Sequence, residues 1–166
     1  TGSPMYYAAR IAKEKHPDAK VVFIGPCVAK RKEAQRDEAV DFVMTFEEVS
    51  SIFDAFEVNL EIVQPYAMEF SSVREAHGFA QAGGVMGAVK AFLKMEADKI
   101  NAIQVSDLNK KNIGTLRAYA KSGKAPGQFI EVMACEGGCI TGPSTHSGSN
   151  GKRQLVQELA KQEKTY

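Results

Sequence analysis

The sequence reads as an α/β domain with a mostly parallel four-stranded sheet flanked by helices. Three observations predict this. Four short apolar runs, at 21–25, 41–44, 100–105 and 129–133, are each bounded by turn or polar residues, as buried strands are. Segments of helical periodicity lie between and beside them. The two kinds of segment alternate along the chain, the order that builds parallel sheets through helical crossovers.

Taken in order, Ser3-Pro4 supplies an N-cap followed by proline at the first helical position, so a helix is expected over 4–16. "VVFIGPC" (21–27) is a buried strand stopped by Gly25-Pro26. "AKRKEAQR" (29–36) is basic, solvated and partly helical. "DFVMT" (41–45) is the second strand, and Thr45 with Glu48 forms a capping box for a helix that is expected to bury Phe46, Val49, Phe53 and Phe56. Residues 57–78 carry no regular pattern. "GGVMGAVKAFLKM" (83–95) is a helix with Val85, Val89 and Phe92 on one face. "INAIQVS" (100–106) is the third strand, and the helix from Asn109 to Lys121 stops at Ser122-Gly123, with Pro126 beyond. "GQFIEVMAC" (127–135) is the fourth strand, and the tail 151–166 is a polar surface helix. Residues 1–150 are therefore expected to form one lobe, with 151–166 as an appended helix.

The composition bounds the function. The 166 residues suffice for one domain with a real core. With 44% hydrophobic and 25% charged residues and a net charge of +1, the chain is a soluble globular type with no pull toward nucleic acid or a membrane surface. No apolar run approaches the ~20 residues of a membrane helix. The chain opens on Thr1 without a methionine, which suggests part of a longer protein, so a missing signal peptide excludes nothing. A cytoplasmic location is the expectation.

The chemistry lies in three cysteines. An odd number in an apolar chain of this length argues against a disulfide scaffold and for reduced thiols, either buried or ligating a metal. Cys135 and Cys139 are spaced C-x₃-C after the fourth strand, and Cys27 follows the first. Ligands collect beyond the carboxyl ends of parallel strands, so Cys27 is the expected partner of the later pair at one sheet edge. Thiolates select zinc or iron–sulfur clusters. Gly137-Gly138 allows a tight fold between two thiolates and can turn N–H groups toward an anion. Gly83-Gly84 either offers the same donors at a helix start or marks a tight turn. Lys30, three residues after Cys27, is either a cation for a thiolate or a solvated lysine in a basic segment. His16, His77 and His146 are scattered, and His16 and His77 read as ordinary surface or loop residues.

Taken together and in order, "FIGPCVAKRKEA" (23–34), "DFVMTFEEV" (41–49), "AGGVMGAV" (82–89) and "FIEVMACEGGC" (129–139) resemble the catalytic domain of iron-only (FeFe) hydrogenases, over about residues 3–142. The specific parts are P-C-x-x-K-x-x-E and M-A-C-x-G-G-C. The resemblance implies the second lobe of a two-lobed α/β domain that grips an H-cluster, a 4Fe-4S cubane joined to a diiron unit carrying carbon monoxide and cyanide. It implies that Cys27, Cys135 and Cys139 each bind a cubane iron and that Cys139 also bridges to the diiron unit. It implies a fourth cysteine from an N-terminal lobe of the same protein, so the cofactor is incomplete or absent in this stretch alone. Lys30 matches a lysine that hydrogen-bonds a diiron cyanide, Met133 a methionine lining the pocket, and Ser3 a serine of the proton path, although Ser3 reads equally as a helix cap. Glu33 fits the motif in a structural role.

The function that follows is part of an anaerobic oxidoreductase reducing protons reversibly to hydrogen, fed by a ferredoxin-like electron donor, with this lobe inactive alone. The alternatives are a hydrogen- or redox-sensing domain coupled to a signalling domain, or a simple 4Fe-4S or zinc protein without a diiron unit. Three departures from the hydrogenase pattern favour low turnover: Gly142-Pro143-Ser144-Thr145-His146 replaces a glycine-rich G-G-G-Q run, Gly25 stands where many members have methionine, and Gly87 where many have glutamate.

Overall fold

The computed structural model describes residues 2–64, 66 and 73–161. It divides into two compact units, Thr1–Pro65 with Pro143–His146, and Tyr66–Gly142 with Ser147–Tyr166. Each contains one pair of parallel strands. The alternating parallel α/β architecture is as the sequence predicts, but the described strands form two two-stranded sheets and not one of four.

In the first unit, helix α1 (Pro4–Lys15) begins at Ser3, whose hydroxyl accepts from the Tyr6 N–H. Strand β1 (Val22–Gly25) runs parallel to β2 (Phe42–Thr45), with Val22 opposite Phe42 and Gly25 opposite Thr45. Between them lies the short helix α2 (Ala29–Ala34). Met5 and Ala9 of α1 pack with Val40 as the buried core, flanked by Phe23 and Val43 from one sheet face. On the other face Val22, Ile24 and Phe42 are exposed. Ion pairs tie α1 to the strand connections. Arg10 holds the buried Asp37 at 2.8 Å and lies over the Tyr6 ring, and Asp41 accepts from Lys13, Lys20 and the Val21 N–H.

Helix α3 (Phe46–Ala55) starts with the expected capping box: the Thr45 hydroxyl accepts from the Glu48 N–H, and the Glu48 carboxylate accepts from the Thr45 N–H. Its burial departs from the expected stripe. Val49 and Phe53 are half-buried, whereas Phe46 is exposed and Phe56 is 78% exposed. The helix ends at Ala55, so Phe56 leaves the helical register at φ −95°, ψ 8°.

In the second unit, 74–77 forms a helical turn, α4 (Arg74–His77), followed by a 3₁₀ turn (Gly78–Ala80), so the stretch expected to be irregular ends in structure. Residues 65 and 67–72 of that stretch lie outside the described residues. Helix α5 (Gly84–Leu93) leads through a 3₁₀ segment (Lys94–Lys99) into β3 (Ala102–Ser106). The expected face of α5 is displaced. Gly84 and Ala88 are its buried line, Val85 and Val89 are half-buried and Phe92 is 69% exposed, because the close approach is made through the small residues. Helix α6 (Lys110–Ser122) is capped by Asn109 and ends at Gly123 in the left-handed conformation, φ 65°. Strand β4 (Phe129–Met133) pairs with β3 from Ala102↔Phe129 to Ser106↔Met133. The last helix, α7 (Gly151–Ala160), is mostly exposed but buries Gly151 and Leu159; the rest of the expected tail helix, 162–166, lies outside the described residues.

Candidate iron–sulfur site

Each strand pair ends near a cysteine. Cys27 lies two residues past β1 and Cys135 two residues past β4, each beyond the carboxyl end of its own sheet. All three cysteines are half-buried. Cys27 belongs to the first unit and the C-x₃-C pair to the second. Within each unit, among the described residues, no three His, Cys, Asp or Glu side chains converge as a metal site.

In the first unit the turn at Cys27 opens α2: the Lys30 N–H donates to the Cys27 carbonyl at 3.2 Å. The Lys30 side chain is only 22% exposed and its ammonium pairs with Glu33 at 2.6 Å, so it is not a fully solvated lysine. The other Glu33 oxygen accepts from the Ser3 hydroxyl. Ser3 is thus both helix cap and carboxylate partner. Burial disfavours the Glu33 carboxylate, but the hydrogen bonds from Lys30 and Ser3 outweigh it and hold the group below the ordinary glutamate range. Further along the same unit, Glu48 is held low by the Thr45 N–H and by Arg31. Asp37 is held low by Arg10, and Asp41 well below the usual range by the Val21 N–H with Lys13 and Lys20.

In the second unit the cysteine loop is fastened from within and from outside. The Gly138 N–H donates to the Cys135 carbonyl at 3.1 Å and the Gly142 N–H to the Cys139 carbonyl at 2.8 Å. Gly137 and Gly138 take φ 81° and 103°, and a Cβ on Gly138 would lie 2.4 Å from the Ala82 nitrogen and 2.6 Å from the Ala80 oxygen. The loop therefore lies directly on the backbone of 80–82, where the Ala82 N–H donates to the Gly137 carbonyl at 2.9 Å. The Gly83-Gly84 pair serves the same packing. Gly83 has φ 88°, and a Cβ on Gly84 would fall 1.9 Å from the Gly78 oxygen. Their N–H groups are engaged by the protein: Gly83 donates to Glu131 at 2.5 Å and Gly84 to the Gln81 carbonyl at 3.0 Å. Met133, at the end of β4, is buried, and its sulfur lies 4.0 Å from Cys139 Sγ.

Two residues of this site carry no local signal in the sequence. Ser106 accepts from the Gly137 N–H at 3.0 Å and donates to the Cys135 carbonyl at 3.3 Å, pinning the loop to the end of β3. Glu131 is 5% exposed and caps α5 through the Gly83 and Met86 N–H groups. Its only visible mark is an acidic residue inside an apolar strand.

The departures from the hydrogenase pattern have a steric reading. A Cβ on Gly25 would meet the Phe23 ring at 2.7 Å, so a larger residue requires that ring to move. Gly87 faces open space, where a larger side chain fits. Pro143–His146 packs with the first unit, and Ser144 is buried there beside a depression of about 270 Å³ lined by Val28, Arg31 and Glu48.

Thiolates are iron–sulfur donors: the second unit carries two half-buried thiols on a glycine loop already folded by protein hydrogen bonds, and the first unit carries one more. Among the described residues no helix is long and apolar enough to cross a membrane. The chain is 28% identical over 188 aligned positions to a cytosolic Fe-S cluster assembly factor (narfl) of Danio rerio, covering 86% of this chain and 46% of that protein. It is 28% identical to a probable cytosolic Fe-S cluster assembly factor of Drosophila grimshawi and 26% identical to a nuclear prelamin A recognition factor of Danio rerio, covering 83% of this chain and 39% of the relative in each case. The chain thus spans less than half the length of these relatives. The aligned stretches also exceed its own 166 residues, so the relatives carry segments that it lacks. Two FeFe-hydrogenase structures share the fold. One, from work on oxygen inactivation of the H cluster, has a TM-score of 0.62 at 20% identity, covering 95% of this chain and 58% of that one. The other, HydA(deltaEFG), has a TM-score of 0.57 at 21% identity, covering 93% and 57%. A family match, described as the iron only hydrogenase large subunit, C-terminal domain, runs over residues 1–143 and takes in all three cysteines. The chain belongs to that family.

Proposed function

We propose that the chain is the cluster-holding part of a hydrogenase-like iron–sulfur protein that works as an assembly or redox component and not as a fast hydrogen catalyst. The observation that carries this reading is the family match over the three cysteines, together with relatives named as cytosolic Fe-S cluster assembly factors. Cys27, Cys135 and Cys139 are the thiolate donors, and a fourth donor comes from an N-terminal lobe of the same protein. When bound, a 4Fe-4S cluster supplies one-electron transfer. The chain's own part is to hold the thiolates. Ser106 and Gly138 fix the Cys135–Cys139 loop, while Lys30 and Glu33 order the turn behind Cys27. The electron partner is a ferredoxin-like protein or domain and the location is the cytosol.

The test is anaerobic reconstitution of the full-length protein, followed by iron and sulfide content, electron paramagnetic resonance, infrared spectroscopy and hydrogen evolution. The expected result is a 4Fe-4S signal that Cys27→Ala, Cys135→Ala and Cys139→Ala each abolish, without carbon monoxide or cyanide bands. The second reading, a complete H-cluster with hydrogen turnover, is favoured by the M-A-C-x-G-G-C run of residues 133–139. Infrared bands of both diatomics together with hydrogen evolution would establish it in place of the first.

A further inference from the structure

The first unit holds a second, larger hollow of about 480 Å³, lined from α1 and α2 by Tyr6, Ala29, Lys32, Glu33, Arg36 and Asp37. Its two acids are already answered by the protein. Glu33 accepts from the Ser3 hydroxyl and, at 2.6 Å, from the Lys30 ammonium. Asp37 is buried, and its two oxygens accept from Arg10 at 2.9 and 2.8 Å. The two cations are not answered. Lys32 and Arg36 are exposed, and among the described residues neither side chain makes an ion pair or a hydrogen bond. The hollow therefore carries two uncompensated positive charges. The rest of its wall is less polar: Ala29 contributes only a methyl group, and Tyr6 a half-buried ring with the Arg10 guanidinium 3.6 Å from its centroid.

Two spare cations beside an apolar wall suit an anion that has an organic body. Arginine and lysine are the phosphate-binding side chains, the one as a fork of donors and the other as a point charge. A phosphate monoester carries about −1.5 to −2 charges at pH 7, which balances the pair. The volume lies in the range of small-molecule pockets, roughly 300–1,000 Å³, and exceeds what a bare phosphate fills. We propose that this hollow binds a small phosphate monoester with a ring-sized organic body, the phosphate at Lys32 and Arg36 and the body against Ala29 and Tyr6. No bond forms or breaks on binding. The site uses no thiol and no iron, so it goes beyond the cluster reading and stands without it. Glu33 nevertheless joins the hollow to Lys30, whose backbone N–H donates to the Cys27 carbonyl at 3.2 Å, so an occupant lies one ion pair away from the cysteine turn.

The experiment titrates the reduced, metal-free 166-residue chain with phenyl phosphate and with inorganic phosphate at constant ionic strength, followed by calorimetry and by amide chemical shifts. Phenyl phosphate is expected to bind once per chain, about tenfold tighter than inorganic phosphate, and to shift the amides of Tyr6 and of residues 29–37. Lys32→Gln and Arg36→Gln are each expected to weaken it about fivefold with an unchanged thermal midpoint, because neither side chain has a partner to lose. Ala29→Glu puts a carboxylate in the hollow at an exposed helix start that tolerates one, and is expected to abolish binding. Lys124→Gln removes an exposed cation of the second unit and is expected to change nothing. Equal affinity for the two anions, an effect of Lys124→Gln as large as that of Lys32→Gln, or shifts centred on the glycine loop of 135–142 would overturn the proposal. Because no iron enters these titrations, failure of cluster reconstitution is a separate result.

Discussion

The two strand pairs present their cysteines alike and secure them differently. Behind Cys27 the first unit uses charge: Lys30 and Ser3 on Glu33, Arg10 on Asp37, and Lys13 and Lys20 on Asp41. Around Cys135 and Cys139 the second unit uses glycine contacts and neutral hydrogen bonds from Ser106 and the backbone of 80–82, with one buried carboxylate, Glu131, spent on a helix start. Contacts of the first kind respond to pH and salt, because exposed ion pairs are weak and screened. Contacts of the second kind respond to volume, because a close-packed backbone has no room for a methyl group.

The largest effect is expected where volume decides. Gly138→Ala places a Cβ against the Ala82 nitrogen at a left-handed φ, and a loss of about 3 kcal/mol or more is expected in urea unfolding, with faster exchange of the Ala82 amide. Equal stability would show that the loop has slack and would erase the contrast. Glu131→Ala comes next. It strips the Gly83 and Met86 N–H groups of their acceptor in a buried place, at a loss of about 2 kcal/mol, with fraying of α5 read by amide exchange. A variant with an intact α5 would show that water replaces the carboxylate.

Acidification sharpens the comparison from the other side. Glu33, Asp37, Asp41 and Glu48 all have folded-state values below their ordinary ones. A depressed carboxylate contributes stability that is present above its unfolded value and is lost as pH falls through the folded one. The first unit is therefore expected to lose stability as pH drops below about 4, and Glu33→Gln to flatten part of that dependence. A pH-independent signal from residues 21–55 between pH 6 and 3, by amide exchange, would refute the ionic account. The smallest effect is Ser106→Ala, about 1 kcal/mol, with Ser106→Thr retaining the loop; differential alkylation of Cys135 reports whether the turn has loosened.

What the sequence makes legible here is local chemistry. The Ser3 cap, the Thr45–Glu48 box and the Gly123 stop are each written within four residues, and each is found in place. The four strands lie within two residues of their expected starts. Long-range choices are not legible in the same way. Glu131 occupies the polar position of an apolar strand, which reads as a solvent-facing residue. It is buried because a helix start 48 residues earlier in the chain needs an acceptor. Ser106 closes a strand as any serine does, and its link to Gly137 spans 31 residues. The split into two sheets is equally hidden, because the same apolar alternation serves two pairs or four strands. For the site, the cysteines and Met133 were legible as types. The engagement of the Gly83 N–H by Glu131 depends on a tertiary contact, whereas Lys30–Glu33 and Gly84–Gln81 are pairs three residues apart whose geometry the residue types alone do not fix.

The contact between the Ala82 N–H and the Gly137 carbonyl also orders events in time. Part of what the C-x₃-C loop lies on, the 78–84 turn and Ser106, precedes it in the chain, whereas the turn at Cys139–Thr141 also packs against α7, which follows it. During synthesis, which runs from the N-terminus, Cys135 and Cys139 emerge after the first part of that platform and before the last. The interval in which the nascent pair stands open to oxidation or to a stray metal therefore lasts until α7 has packed on the turn.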